Sequence, residues 1–393
     1  MRCIGTHVMG IRMPVITQGD DLPEVVVSNV LRASKEEGFK INDGDIIGIT
    51  ESIVARAQGN YATIDQITAD VREKFPEGEV GVVFPIFSRN RFSLQLKGIA
   101  CAVKKLYLIL SYPGDEVGNR LLSLDEIDRK NVNPYEEDMD ENRFRELFGE
   151  NLRHEFTGID YVEFYKNLSD NISVYFSNDP RSVLQFTQYV IAADIHSRER
   201  TKRILKKAGA KRVFGIDDIL RESVEGSGFN AEYGLLGSNL ASDDRIKLFP
   251  RDCDVFVRDV QRKLKETAGK NVEVLVYGDG AYKDPDGGIW ELADPVVSPA
   301  YTEGLGGAPN EMKLKYLADN EFMGIKGDEL ERAVKKSISG KESDLFGKSS
   351  SQGTTPRRIH NLIGSLCDLT SGSGDKGTPV VLVQGYFDDY SRD

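Results

Sequence analysis

Short apolar runs, bounded by glycine, proline and acidic residues, recur along the chain at strand length rather than helix length. Residues 46–50, 81–86, 106–110, 172–176, 213–216, 272–276 and 380–386 each predict a buried strand. Helical spacing follows at 22–38, behind the turn signal Gly19-Asp20-Asp21-Leu22-Pro23, and again at 51–59, 88–104, 251–269, 310–319, 327–339 and 355–369. Asp179-Pro180 predicts a further helix start, with Val183, Leu184, Phe186, Thr187 and Val190 on one broad face. Residues 198–212 read as a basic solvated helix closed by Gly209, 122–157 as a charged solvated insertion, and 226–252, rich in glycine and serine, as a surface loop. Strands interleaved with helices place the chain in the mixed α/β class.

Composition narrows the function classes. At 393 residues the chain suits two domains or one with a large insertion, and a net charge of −12 disfavours general binding to nucleic-acid backbones and favours small-molecule chemistry. No apolar stretch reaches the length of a membrane span and no signal-type block opens the sequence, so the expected location is the cytoplasm. Cys3, Cys101, Cys253 and Cys367 lie far apart, as do His7, His154, His196 and His360, which argues against a zinc site, a disulfide framework or a Ser-His-Asp set. A bound metal would need oxygen ligands, pointing to Mg²⁺ or Mn²⁺.

Candidate chemistry gathers where strands end. The run at 272–276 stops at Gly278-Asp279-Gly280, and the run at 106–110 leads to Gly114-Asp115. Each delivers an acid to a strand exit, with glycine allowing close approach, as a cation between phosphates needs; Asp-Gly is equally a turn signal. At 51–59 a strand runs into a helix whose first amides are suited to a phosphate, with Arg56 one turn on; the other reading is a capped structural helix. Arg89 and Arg91 flank a second helix start, placed either to receive a carboxylate or phosphate or to face water. Residues 371–379, with Ser371, Gly372, Ser373, Gly374 and Lys376, form a flexible loop able to wrap a nucleotide or merely to join helix and strand. Gly347-Lys348-Ser349 is not a P-loop, because Glu342 stands where a glycine is required.

Several of these pieces, in this order, resemble the coenzyme F420-0:L-glutamate ligases, or gamma-glutamyl ligases. Met13-Pro14-Val15-Ile16 followed by Gly19-Asp20-Asp21-Leu22 is similar to that family's Leu-Pro-Leu-Ile and Gly-Asp-Asp-Leu; residues 49–59, ending Ala57-Gln58-Gly59, resemble its strand-helix junction, and 378–385 its closing strand. The resemblance implies a two-domain α/β fold of mixed sheets flanked by helices, with residues 1–120 and 266–393 as the nucleotide- and metal-binding core and 121–265 as an inserted α/β region shaping the acceptor site. It also implies an intertwined homodimer with the site in an intersubunit groove. The implied reaction is GTP-dependent amide formation between L-glutamate and a carboxylate acceptor through an acyl phosphate, assisted by Mg²⁺ or Mn²⁺. Carried over by position, Asp115 and Asp279 would be the catalytic metal ligands, and Met13, Pro14, Val15, Ile16, Glu51, Ser52, Arg56 and Asn119 would border the nucleotide.

Four positions depart from the family pattern. Arg56 stands for a lysine, Glu51 for a small hydroxyl residue and Gly280 for a threonine, while Asp115-Glu116-Val117-Gly118-Asn119 carries one residue more than the family's Asp-x-Ser-Asn. A folate-like acceptor, a phosphotransferase that ignores glutamate, and a non-catalytic nucleotide- or metabolite-binding regulator are the competing readings.

Overall fold

The computed structural model describes residues 4–150, 152–154, 157–279, 296–351, 358–371 and 374–392, apart from the side chains of 279, 296 and 297. Fourteen strands lie within these residues: β1 (His7–Ile11), β2 (Ile46–Thr50), β3 (Tyr61–Thr63), β4 (Glu79–Val83), β5 (Lys105–Leu110), β6 (Met139–Asp140), β7 (Ile172–Phe176), β8 (Tyr189–Ala192), β9 (Arg212–Gly215), β10 (Asn239–Leu240), β11 (Arg245–Lys247), β12 (Glu273–Asp279), β13 (Val296–Tyr301) and β14 (Val380–Gln384). They form a five-stranded mixed sheet in the order β1-β14-β2-β12-β13, a six-stranded sheet in the order β6-β7-β5-β4-β8-β9, and a small antiparallel sheet β10-β11-β3.

The continuous apolar runs follow from two-sided burial, which replaces the alternation of a half-exposed strand. In the five-stranded sheet Ile47, Ile49, Val274, Val276, Val380 and Leu382 pack toward the helices Leu22–Glu37 and Cys253–Ala268. Their neighbours Ile46, Leu275, Tyr277, Val381 and Val383 turn to the other face, against the helix Ile359–Ser371. Gly48 belongs there too: a Cβ at that position would lie 2.4 Å from Cys367 Sγ, so the buried thiol takes the space. The first helix is set by Asp21, whose carboxylate accepts from Glu24 N, and ends at Gly38 in the left-handed region.

In the six-stranded sheet β4, β5, β7, β8 and β9 run parallel and only β6 is antiparallel. The chain steps outward from β4 through β5 to β7, then crosses to β8 on the far side of β4, so the winding reverses between β4 and β8. The crevice beyond the carboxyl ends of such strands is where open α/β sheets hold ligands.

The expected division at residues 120 and 265 does not follow the sheets. β4 and β5, from the first segment, pair with β8 and β7, from the middle one, in a single sheet. Three local readings also change. Val190 lies in β8, since the turn at Pro180–Gln185 is a short 3₁₀ segment that ends before it. The acidic stretch 122–157 is not simply solvated: Phe144 is fully buried, its ring stacked 3.6 Å from that of Phe176. Residues 226–252 contain β10 and β11, which pair through β11 with β3.

Candidate functional site

Two cavities open side by side and share Asn90. The larger, about 780 Å³, is walled by Thr17 and Gln18, by Ser52 and Arg56 from the helix Glu51–Ala57, by Tyr61 of β3, and by residues of the β10–β11 hairpin. Alternation along β11 puts Arg245 and Lys247 on one face and the buried Ile246 on the other. Arg56, Arg245 and Lys247 therefore line a space to which no acidic side chain among the described residues contributes lining. Such a lining suits an extended anion.

Each of the three cations is held in place. Arg56 Nε donates to the carbonyl of Ile16 at 2.5 Å, which brings the segment after β1 to the cavity wall. The Arg245 guanidinium lies 4.9 Å over the ring of Tyr61. Lys247 Nζ pairs with Glu51 Oε1 at 2.9 Å, and Glu51 is buried. Glu51 in turn rests on the end of β12, where a Cβ on Gly278 would meet its Cγ at 2.3 Å. The glycine before Asp279 is what admits this side chain. The helix that Glu51 opens has only seven residues, and its first turn carries this buried carboxylate.

The smaller cavity, about 380 Å³, lies at the carboxyl ends of β4 and β5. Phe87 and Tyr161 form its aromatic floor, their rings stacked with centroids 6.0 Å apart, and Arg89, Arg91, Asn119 and Thr157 bring polar groups to it. Ser88 caps the helix Arg89–Ala102, its Oγ accepting from Arg91 N at 3.2 Å.

Behind this wall Asp115 carries four donors. Its Oδ1 accepts from the backbone of Val117 and Asn119, and its Oδ2 from Phe87 N at 2.7 Å and Asn119 Nδ2 at 2.8 Å. Burial raises its pKa, and these hydrogen bonds oppose the rise. Glu116 points elsewhere, accepting from the backbone of Ile195, His196 and Ser197 at the start of the helix Arg198–Lys207. Near it, burial first and then the charge of Glu116 push the carboxyl of Asp194 up to about 7, while Thr201 donates to it at 2.8 Å.

Of the residues singled out in the sequence, Ser52 and Arg56 stand on the wall of the larger cavity and Asn119 on that of the smaller. Glu51 reaches the larger one through Lys247. Met13 donates its amide to the carbonyl of Gly377, and the carbonyl of Ser371 accepts from Thr378 Oγ1, so the two segments are tied together. Pro14 and Val15 are exposed, and neither cavity is lined by Gly374 or Lys376. Gly372, Ser373 and the side chain of Asp279 lie outside the described residues. Asn90, Asn239, Arg245 and Lys247 were not singled out as site residues by the sequence patterns; the one available signal was the polar-apolar-polar alternation at 245–247.

The described residues do not by themselves make a cation cage. No cluster of three metal-ligating side chains occurs among them, and the lone pairs of Asp115 already accept four N–H groups.

A family model described as F420-0:gamma-glutamyl ligase matches residues 10–385, nearly the whole chain. The chain belongs to that family. The coenzyme F420:L-glutamate ligase of Methanothermobacter thermautotrophicus is similar over a shorter stretch, 37% identical across 65 residues, or 16% of this chain and 24% of the relative. The match thus spans about a quarter of that ligase's length. No helix among the described residues of this family member is long and apolar enough to cross a membrane.

Proposed function

We propose that this chain joins L-glutamate to a carboxylate of a coenzyme F420-0-like acceptor, using GTP. The observation that carries the reading is the cation-lined cavity opening beside a second one at Asn90. Triphosphate chemistry needs concentrated positive charge, and an amide-forming ligase must bring a second substrate to the activated carboxyl.

In this reading an acceptor carboxylate oxygen attacks the γ-phosphorus. The bond to the β–γ bridging oxygen breaks, and GDP leaves with the electron pair. The neutral amine of L-glutamate then attacks the acyl carbon; phosphate departs, the nitrogen loses a proton, and the products are amide, GDP and phosphate. Arg56, Arg245 and Lys247 offset charge on the phosphoryl oxygens, and Glu51 holds the Lys247 ammonium in register. A divalent ion, Mg²⁺ or Mn²⁺, with Asp115 and Asp279 as its ligands, belongs to the reading through the family alone, and no step is assigned to it. A homodimer belongs to it on the same ground.

Residues from the middle of the chain line both cavities, Tyr161 in one and Arg245 in the other, which supports assigning acceptor choice to that part of the chain. The test incubates the protein with GTP, L-glutamate and either F420-0 or a folate-like acceptor, following GDP and product mass. GDP formed only when glutamate and one acceptor are both present, with a product heavier by one glutamyl residue, supports the ligase. A phosphorylated acceptor formed without any need for glutamate indicates a phosphotransferase, and nucleotide binding without turnover a regulator.

A further inference from the structure

A third cavity, of about 180 Å³, lies against the six-stranded sheet and shares no lining residue with the two described above. Its chemistry is of another kind, and we infer that it binds a small primary alkylammonium ion. Three adjacent strands build its base. Ile109 of β5 stands in register with Tyr175 of β7, and Tyr175 with Asp140 of β6, and partnered positions share a face of the sheet. One row across the sheet thus runs from an alkyl group through a ring to a carboxylate. Asp138, two residues before Asp140, lines the same cavity.

The 3₁₀ segment Pro180–Gln185, with Phe186 after it, forms the opposite wall. The Phe186 ring packs against those of Tyr107 and Tyr175, with centroids 5.0 and 4.2 Å away, so the aromatic side of the cavity is fixed by its own packing.

Charge, hydrogen-bonding capacity and size together specify the ligand. No lysine, arginine or histidine lines the cavity, whereas two carboxylates do, which makes it opposite in sign to the larger one. Asp138 has no ion pair or hydrogen bond among the described residues, and Asp140 uses Oδ1 alone, accepting from Arg143 N at 2.8 Å. Ser182 is only 8% exposed, and its hydroxyl has no hydrogen-bond partner among the described residues. By contrast Ser177, on the same wall, donates to the carbonyl of Asp179 at 3.1 Å. An unpaired buried hydroxyl is costly, and an N–H group donating to it would recover that cost. Ile109, Tyr175 and Phe186 call for an alkyl body, and the volume holds roughly six heavy atoms. A divalent metal fits less well, since it asks for six or more oxygens and half of these walls are carbon.

The test titrates n-butylammonium against the protein at neutral pH and constant ionic strength by saturation-transfer NMR, with n-butanol and butyrate as matched controls. The Kd for n-butylammonium should fall at roughly 0.1–10 mM, with n-butanol at least about tenfold weaker and no binding of butyrate. Asp138→Asn, and Asp140→Asn, which keeps the helix cap, should each weaken the amine about three- to tenfold, and Ser182→Ala roughly threefold. Amine binding unchanged in the two aspartate variants, or in Ser182→Ala, overturns the assignment to this cavity. Equal affinity for n-butanol reduces it to an apolar slot, and displacement of the amine by millimolar Mg²⁺ makes it a metal site; either result overturns the proposal. A capped lysine, Nα-acetyl-lysine methylamide, that binds more tightly than n-butylammonium would assign the cavity to a protein side chain and overturn the free amine. GTP and acceptor are absent throughout, so this outcome is independent of the ligase reading.

Discussion

Lys247 Nζ lies 2.9 Å from Glu51 Oε1, joining the middle of the chain to the helix that follows β2, with both side chains mostly out of solvent. A pair withdrawn from water costs more to break than it contributes as a pair, because the survivor keeps its charge without its partner. Lys247→Met should destabilise the protein by about 3 kcal/mol, seen as a lower urea midpoint. The double variant Glu51→Gln with Lys247→Met should regain most of that. A double variant no better than the single would show that the pair is not the coupled unit inferred here.

Gly278→Ala tests the other side of the same carboxylate. The new methyl group would need the space 2.3 Å from Glu51 Cγ. Forcing Glu51 off β12 should cost on the order of 1–3 kcal/mol and weaken nucleotide binding through Lys247, both readable from thermal melts with and without GTP. An unchanged melt in both conditions would mean that the strand end gives way freely.

Arg245 has an exposed side chain whose guanidinium lies over the ring of Tyr61, so its removal separates binding from stability. Arg245→Ala should weaken GTP binding about tenfold by calorimetry while leaving the melting temperature within a degree or two. Raising salt should narrow the gap between variant and wild type, since an exposed guanidinium acts through a screened field.

Asp194 gives a pH dependence of definite sign. Its folded pKa of about 7 stands above the unfolded value, so the folded protein holds this proton more tightly and the stabilisation is complete below about pH 4. It is lost as pH rises toward 7, by roughly 4 kcal/mol if Asp194 acts alone, and Glu116, raised likewise by burial, adds in the same direction. The urea midpoint should fall between pH 5 and 7.5 in the wild type and much less in Asp194→Asn, which should be the more stable of the two at pH 8. Parallel curves for the two proteins would remove Asp194 as the cause.

Much of the architecture was legible because two-sided burial leaves a simple trace: 46–50, 106–110, 172–176 and 380–384 are apolar almost throughout and all are strands. Val190 was not, because a β-branched residue after a proline-led turn fits helical spacing as readily as the start of a strand. The hairpin at 239–247 was hidden for a different reason: with three residues in β11 and one of them buried, no periodicity rises above a glycine- and serine-rich background. That hairpin supplies two of the three cations of the larger cavity, so the least patterned stretch carries much of its character. Strand-end acids were visible at 115 and 279, yet no pattern in the sequence foretold that four N–H groups would converge on Asp115.

β2 finds its neighbours late. They are β12, which begins at residue 273, and β14, which begins at residue 380, while every strand of the six-stranded sheet has been made by residue 215. During synthesis on the ribosome the strand that will sit at the centre of one sheet must wait with both hydrogen-bonding edges bare while the other sheet closes. Sticky, half-made molecules should therefore accumulate when elongation stalls between the two events, and slower translation near the end of the message should cost more yield than the same delay near its beginning.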